Sequence, residues 1–248
     1  MSSVLRTRLY ISKLYEKECE MTPFESAVLL TVRGTYIPDS LEAMRILHNS
    51  TAGSEQGIAA ARSLGDLSHN VYSPSLRSTQ AGAKTGELLF IDWWDSPKGI
   101  MDFFSNPQVQ QQGGKLFSKR DATLWMPARG SSSYHLYAPK AHTERYLGLI
   151  RGAVKAPEQA LGVFAAVDTK AQRDARRRGL ISHELFMKLN APGESSPPEL
   201  LGLDLWSDFV GMTEHYADST HMAGLGDAIA GQPQASVWEQ ANGHWSEW

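Results

Sequence analysis

Cysteine is almost missing from this chain: Cys19 is the only one in 248 residues. A single thiol excludes an intramolecular disulfide framework and a cysteine-built metal cage, and it fits a reducing compartment. Excess positive charge is missing too. A net charge of −3 and an isoelectric point near 6.2 argue against nucleic acid as a partner, which requires a strong basic bias. The densest basic run, Arg173 to Arg178, contains Asp174 and reads as the solvated face of a helix. No apolar run approaches the roughly 18 residues of a membrane span. Met1 to Met21 has no signal-peptide core, because Arg6, Arg8, Lys13 and Glu16 interrupt it. A cytoplasmic protein with no membrane partner is therefore expected. There is no Gly-rich phosphate loop, Walker-type lysine or Gly-x-Ser-x-Gly elbow, which sets aside nucleotide-dependent and serine-hydrolase chemistry. What is present, 42% hydrophobic and 21% charged residues, suits a globular protein with a real core.

The sequence also repeats itself. Glu87-Leu88-Leu89-Phe90-Ile91-Asp92-Trp93-Trp94 returns as Glu199-Leu200-Leu201-Gly202-Leu203-Asp204-Leu205-Trp206, a shift of 112 positions from Glu87 to Glu199. Gly65 to Tyr72 is echoed by Gly179 to Phe186, Arg33-Gly34 by Arg151-Gly152, and Trp125 by Trp238. Matches in one order with loop-sized drift indicate a tandem duplication of a unit of about 100 residues, longer than a solenoid period. The expected organisation is an N-terminal extension (1–22), a first unit (23–129), a linker (130–143) and a second unit (144–248).

Each unit reads β-α-β-β-α-β. Ala27 to Val32 is an apolar, β-branched strand. Leu41, Met44, Ile46 and Leu47 recur at helical spacing, Ser54 to Leu64 continues as helix, and Gly65 closes it. Strands follow over Leu67–Tyr72 and Glu87–Trp94. Pro97 after Ser96 opens a helical stretch, and Ala122 to Met126 ends the unit as a strand. The second unit repeats the order with strands at 146–152, 180–189, 199–206 and 235–240 and helices at 157–178 and 208–229. The expected fold is α+β: two tandem ferredoxin-like (β-α-β-β-α-β) repeats packed sheet to sheet as an intramolecular dimeric α+β barrel.

Alternation divides the third strand into two faces. Leu89, Ile91 and Trp93, like Leu201, Leu203 and Leu205, form a uniformly apolar face expected under the helices. Asp92 and Trp94, like Asp204 and Trp206, are expected to point into a hollow between the sheets. A carboxylate there requires a partner, and Arg33 and Arg151 on the first strands are the expected ones. His69 and His183 occupy matching positions and read either as structural groups bonded to loop carbonyls or as site residues. The aromatic tail, with Trp245 and Trp248, is expected to dock on the core or to cover a cavity.

The run Asp204-Leu205-Trp206-Ser207-Asp208, followed by His215-Tyr216-Ala217-Asp218-Ser219-Thr220-His221-Met222 and preceded by Gly179 to Leu185, resembles the antibiotic biosynthesis monooxygenase superfamily. The likeness covers nearly all of the second unit and, more faintly, the first. It implies a small-molecule cavity between sheet and helices, and in several members oxidation of quinols or polyketide anthrones by O₂ without metal or flavin. A deprotonated phenolic substrate is itself the reductant, so the protein has to bind it, stabilise the anion and exclude water. On that resemblance His215 is the candidate base, His183 and Asp204 orient or tune it, and Trp206 packs on the substrate. Arg151, His221, Tyr216, Asp92, Trp94, His69 and Arg33 are further candidate substrate contacts.

His215 and His221 align with Phe103 and Val109, so the helix histidines occur once, and the active cavity is expected in the second unit. No metal is expected, since His183, Asp204, His215 and His221 lack close ligand spacing. No cofactor is expected either. Haem-degrading relatives place a histidine where this chain has Leu225. The partners expected are an aromatic small molecule and O₂, with self-association of the fused pair left open. The rival readings are a cyclase or isomerase on the same scaffold and a non-catalytic small-molecule or haem binder.

Overall fold

The structure, a computed structural model, describes residues 27–77, 82–128, 134–135, 145–190, 196–218 and 228–248. The N-terminal extension, His221, Leu225 and most of the linker lie outside the described residues.

The elements in chain order are β1 (Val28–Tyr36), α1 (Leu41–Ser50), α2 (Glu55–Ser63), β2 (Asp66–Pro74), β3 (Glu87–Trp94), α3 (Pro97–Phe104), α4 (Pro107–Leu116) and β4 (Phe117–Pro127). A short β5 (Tyr134–His135) precedes β6 (Tyr146–Ala153), α5 (Pro157–Arg177), β7 (Leu180–Lys188), β8 (Glu199–Trp206), α6 (Phe209–Ala217) and β9 (Gln234–Gln240). Local chemistry sets the helix starts. Ser40, Ser54 and Ser96 each accept a hydrogen bond from the N–H three residues on, satisfying an otherwise orphaned donor. Pro97 follows Ser96 at the first helical position, where its missing N–H costs nothing. Gly65 takes φ +96 after α2, and a Cβ there would stand 2.1 Å from the Asp95 carboxylate. Among the described residues no helix is long and apolar enough to cross a membrane.

The first four strands lie in the order β4-β1-β3-β2, and β6 to β9 in the matching order β9-β6-β8-β7. Registers match as well: Val28 pairs with Trp94 as Tyr146 pairs with Trp206, and His69 with Asp92 as His183 with Asp204. Pairing of β2 with β9 and of β4 with β7 closes eight strands into an antiparallel barrel. Every long strand then has two neighbours, which removes the open edges of a flat sheet.

The barrel interior is packed with side chains. Leu29, Leu89, Ile91, Trp125, Phe186, Leu201, Leu203 and Trp238 form one buried cluster, with Trp93 and Leu205 against it. Each such aliphatic or aromatic group contributes about 1.5–3 kcal/mol on burial. The expected assignment of faces is therefore reversed. The uniformly apolar face of β3 and β8 fills the barrel, while Leu88, Phe90, Asp92 and Trp94 lie under the helices with Val28, Leu30 and Met44. The reason is access. A closed barrel admits no water to solvate a carboxylate, whereas the helix layer leaves room for polar groups.

The same parity overturns the arginine pairings. Arg33 pairs across to Leu89 and Arg151 to Leu201, so both point to the barrel side, away from the aspartates. Arg33 Nη2 instead meets Glu87 at 2.7 Å, and Arg151 meets Glu199 at 2.5 Å and Asp121 at 2.7 Å. Each guanidinium also lies 5.2 Å from the centre of a tryptophan from the opposite half, Arg33 over Trp238 and Arg151 over Trp125. The basic run at the end of α5 is largely exposed, as its composition requires.

Candidate functional site

On the helix side of the first half, His69 Nδ1 lies 2.5 Å from Asp92 Oδ1. The far edge of the ring, Nε2, lies 3.0 Å from Nε2 of His48 on α1. His48 Nδ1 in turn meets Asn49 Oδ1 at 3.0 Å. Two contacts orient the Asn49 amide: Nδ2 donates to the His244 carbonyl at 2.8 Å, and Oδ1 accepts from Ser246 N–H at 3.0 Å. An amide oxygen only accepts. His48 therefore carries its proton on Nδ1, its Nε2 accepts, and His69 donates from Nε2. Facing a carboxylate with its other nitrogen, His69 is an imidazolium paired with Asp92. Burial and then the charge of His69 hold His48 down at about 4. Burial works against the charge on His69, but Asp92 overcomes it and the pKa is raised.

The second half keeps the frame and changes one partner. His183 Nδ1 lies 2.6 Å from Asp204 Oδ1, but Nε2 faces Asp168 Oδ2 of α5 at 2.8 Å instead of a histidine. Burial opposes the charge, yet Asp204 and then Asp168 push His183 up to about 10. Asp204 resists burial in the same way, and His183 and Tyr216 lower it. Both strand histidines thus bond carboxylates, not the loop carbonyls considered from sequence.

The halves differ most on the helix that follows the third strand. Trp206 Nε1 donates to Tyr216 Oη at 3.3 Å, and Tyr216 Oη donates to Asp204 Oδ2 at 2.6 Å. Gly148 stands opposite Asp204 in β6 and makes room, since a Cβ there would lie 2.2 Å from Oη. In the first half Leu30 stands opposite Asp92, and the residue 112 positions before Tyr216 is Phe104. The ring arrangement persists: centroids lie 6.5 Å apart for Trp94–Phe104 and 5.8 Å for Trp206–Tyr216. Trp94–Phe103 at 5.5 Å likewise matches Trp206–His215 at 5.1 Å. Phe104 has no hydroxyl, however, and Trp94 Nε1 is buried with no hydrogen-bond partner.

Beside Trp94 lies a cavity of about 220 Å³ between the sheet and helices α2 to α4. Phe90, Phe103, Phe104 and Phe117 give it an aromatic wall, and Asp66, His69 and Asp92 a polar one. Asp66 pairs directly across from Trp94, is 6% exposed, and its Oδ1 has no hydrogen-bond partner. Burial, then the charge of Asp92, raise it to about 7. The C-terminal tail closes this region. Trp248 pairs its backbone with His69 in both directions, at 2.8 and 3.2 Å, and its ring stacks on the imidazole at 4.7 Å. Its indole N–H is turned toward Asp66 without reaching hydrogen-bond geometry. Trp245 packs on His48 at 5.3 Å. The tail both docks on the first half and lines its cavity.

His183, Asp204, Trp206, His215 and Tyr216 are brought together in one cluster under the second half's helices; Arg33 and Arg151 are not part of either cluster. Sequence reasoning did not weigh His48 or Asp66. His48 comes from a helix with no matching histidine in the other unit, so nothing flagged it. Asp66 had a usable signal, because the repeat of Gly65-Asp66 is Gly179-Leu180, an acid in one unit and an apolar residue in the other.

No sequence family matches the chain, and no curated protein matches it by sequence. Solved structures do match. An anthrone oxidase-like protein aligns over 87% of this chain and 91% of its own, with 12% identity and a TM-score of 0.60. A protein from Lactobacillus acidophilus described as a candidate monooxygenase aligns over 88% and 98%, with 10% identity and a TM-score of 0.58. The haem complex of a DypB variant from Rhodococcus jostii aligns over 90% and 95%, with 10% identity and a TM-score of 0.53. The chain shares its fold with these proteins.

One of these neighbours is a haem complex, and the residues described here do not fit that group. A cavity of about 220 Å³ falls below the roughly 300–1,000 Å³ of drug-sized sites, and a haem exceeds most such ligands. Both ring nitrogens of His69 and of His48 are engaged, which leaves neither as an axial ligand. Among the described residues no group of three or more His, Cys, Asp or Glu is arranged to hold a metal ion.

Proposed function

We propose that this protein is a cofactor-independent monooxygenase that oxidises a one- or two-ring hydroxyaromatic with O₂ in the cavity of its first half. The observation that carries the reading is the difference between Trp206 and Trp94. In the second half an internal phenol, Tyr216, sits between an indole N–H and an aspartate. In the first half the same indole N–H is unpartnered beside an aromatic-lined cavity. A phenolic ligand in that cavity supplies the oxygen that the Trp94 N–H lacks. Leaving a buried donor unmet costs about 1–3 kcal/mol, which such a ligand recovers.

The scaffold is read as a duplicated ferredoxin-like unit, 23–129 and 144–248. The second copy, locked by His183 between two carboxylates and by Tyr216, serves as the supporting half. The likeness to an anthrone oxidase-like protein and to candidate monooxygenases supports the reaction type. The overall change for a quinol is hydroquinone plus O₂ to hydroxyquinone plus water. The ring loses four electrons and O₂ gains them. The quinolate passes one electron to O₂, the resulting radicals join at a ring carbon, and the hydroperoxide loses water. The positive His69 stands against the cavity to stabilise the anion, and aromatic walls keep water out.

Oxygen uptake with naphthohydroquinone, measured above the uncatalysed rate and with product mass, tests this. A product heavier by one oxygen and lighter by two hydrogens supports it. A product of unchanged mass points to an isomerase, and binding without uptake to a non-catalytic binder; either overturns the oxygenase reading.

A further inference from the structure

We propose that Asp66, rather than a histidine, accepts the proton of the ligand hydroxyl in the first-half cavity. This rests on the cavity being the ligand site, as argued above. The strand register places Asp66 directly across from Trp94, and directly opposed residues on one face hold their Cβ atoms about 4.5–5.5 Å apart. That pairing sets an acceptor and a donor on adjacent strands beside the same cavity. Asp66 Oδ1 and the Trp94 N–H are both buried and unpartnered, and both residues line the cavity. The histidines are already committed. His69 gives both ring protons to Asp92 and His48, and His48 points its only free lone pair at His69.

The second half removes the same acid: the residue opposite Trp206 is Leu180, and a phenol is held there without being a substrate. A carboxyl raised to about 7 by burial and by Asp92 is matched to proton transfer near neutral pH. The charged groups facing it across the cavity are Asp92 on β3, His69 on β2 and Arg120 on β4, with Glu247 on the tail behind His69. In the step itself the O–H bond of the ligand breaks, an O–H bond forms on Asp66 Oδ1, and the electron pair stays on the ligand oxygen. No redox change occurs.

Naphthol, which carries the hydroxyl, and methoxynaphthalene, which lacks it, serve as non-turnover probes in a binding titration from pH 6 to pH 8. Naphthol affinity for the wild-type chain is expected to rise about tenfold across that range, while methoxynaphthalene affinity stays flat. In Asp66→Asn the naphthol dependence disappears. Oxygen uptake with naphthohydroquinone is expected to fall at least about 100-fold in that variant, with methoxynaphthalene still bound. Naphthol affinity that is flat in the wild type, or equally pH-dependent in Asp66→Asn, overturns the assignment. Pronounced pH-dependent binding with no oxygen uptake leaves Asp66 standing and removes the oxygenase reading instead.

Discussion

His48 and His69 share one hydrogen bond, Nε2 to Nε2 at 3.0 Å, and Asn49 decides which of them donates. Because Asn49 Oδ1 accepts from His48 Nδ1, the proton between the rings belongs to His69. Nitrogen-15 NMR of the histidine side chains is expected to show His69 protonated on both nitrogens at pH 7.5, above the ordinary histidine value of about 6.5. His48 should be neutral, with its proton on Nδ1, down to pH 5. Two neutral rings at pH 7.5 would remove the positive charge from the cavity wall.

The second half makes a stability prediction. The pKa of His183 is raised to about 10 in the folded state against about 6.5 unfolded. Its ion pairs therefore stabilise the fold fully below pH 6.5, and that contribution is lost as pH rises through 10. Replacing it strands Asp168 and Asp204 as buried charges, so His183→Gln is expected to cost about 3–5 kcal/mol at pH 7. Chemical denaturation from pH 6 to pH 10 checks this. The gap between variant and wild type should shrink toward the alkaline end.

Asp66 works the other way. Its folded-state pKa of about 7 exceeds the unfolded value of about 3.9, so the folded chain holds a proton that the unfolded one loses. Stability from this group is full below pH 3.9 and gone above pH 7. Asp66→Asn should therefore melt higher than wild type at pH 8, by about 2–4 °C for each kcal/mol relieved. The advantage should vanish toward pH 4. A gain in stability beside a loss of turnover is the signature of a group kept for function.

Much of the fold was legible in the sequence because runs and punctuation are local. The strands Glu87–Trp94 and Glu199–Trp206 match their apolar runs to the residue, and Ser96-Pro97 and Gly65 mark the helix ends. Which face of a strand points inward was not legible. Alternation yields two faces, and only barrel closure makes the apolar one the interior. The partners of Asp92 and Asp204 were hidden for the same reason, since Arg33 and Arg151 sit on the opposite parity from the aspartates. β4 begins five residues earlier than its apolar run, because Phe117 to Asp121 is a mostly polar, exposed stretch held by pairing with β1.

On the proposed function a ligand phenol gives the Trp94 N–H the oxygen that Tyr216 gives Trp206. Phe104→Tyr brings a hydroxyl toward that unpartnered N–H, and Leu30, which stands where Gly148 makes room for Tyr216, crowds it. Naphthol affinity is predicted to weaken at least about tenfold, and the crowding to cost the fold stability. Naphthol binding that is unchanged in Phe104→Tyr would contradict the account.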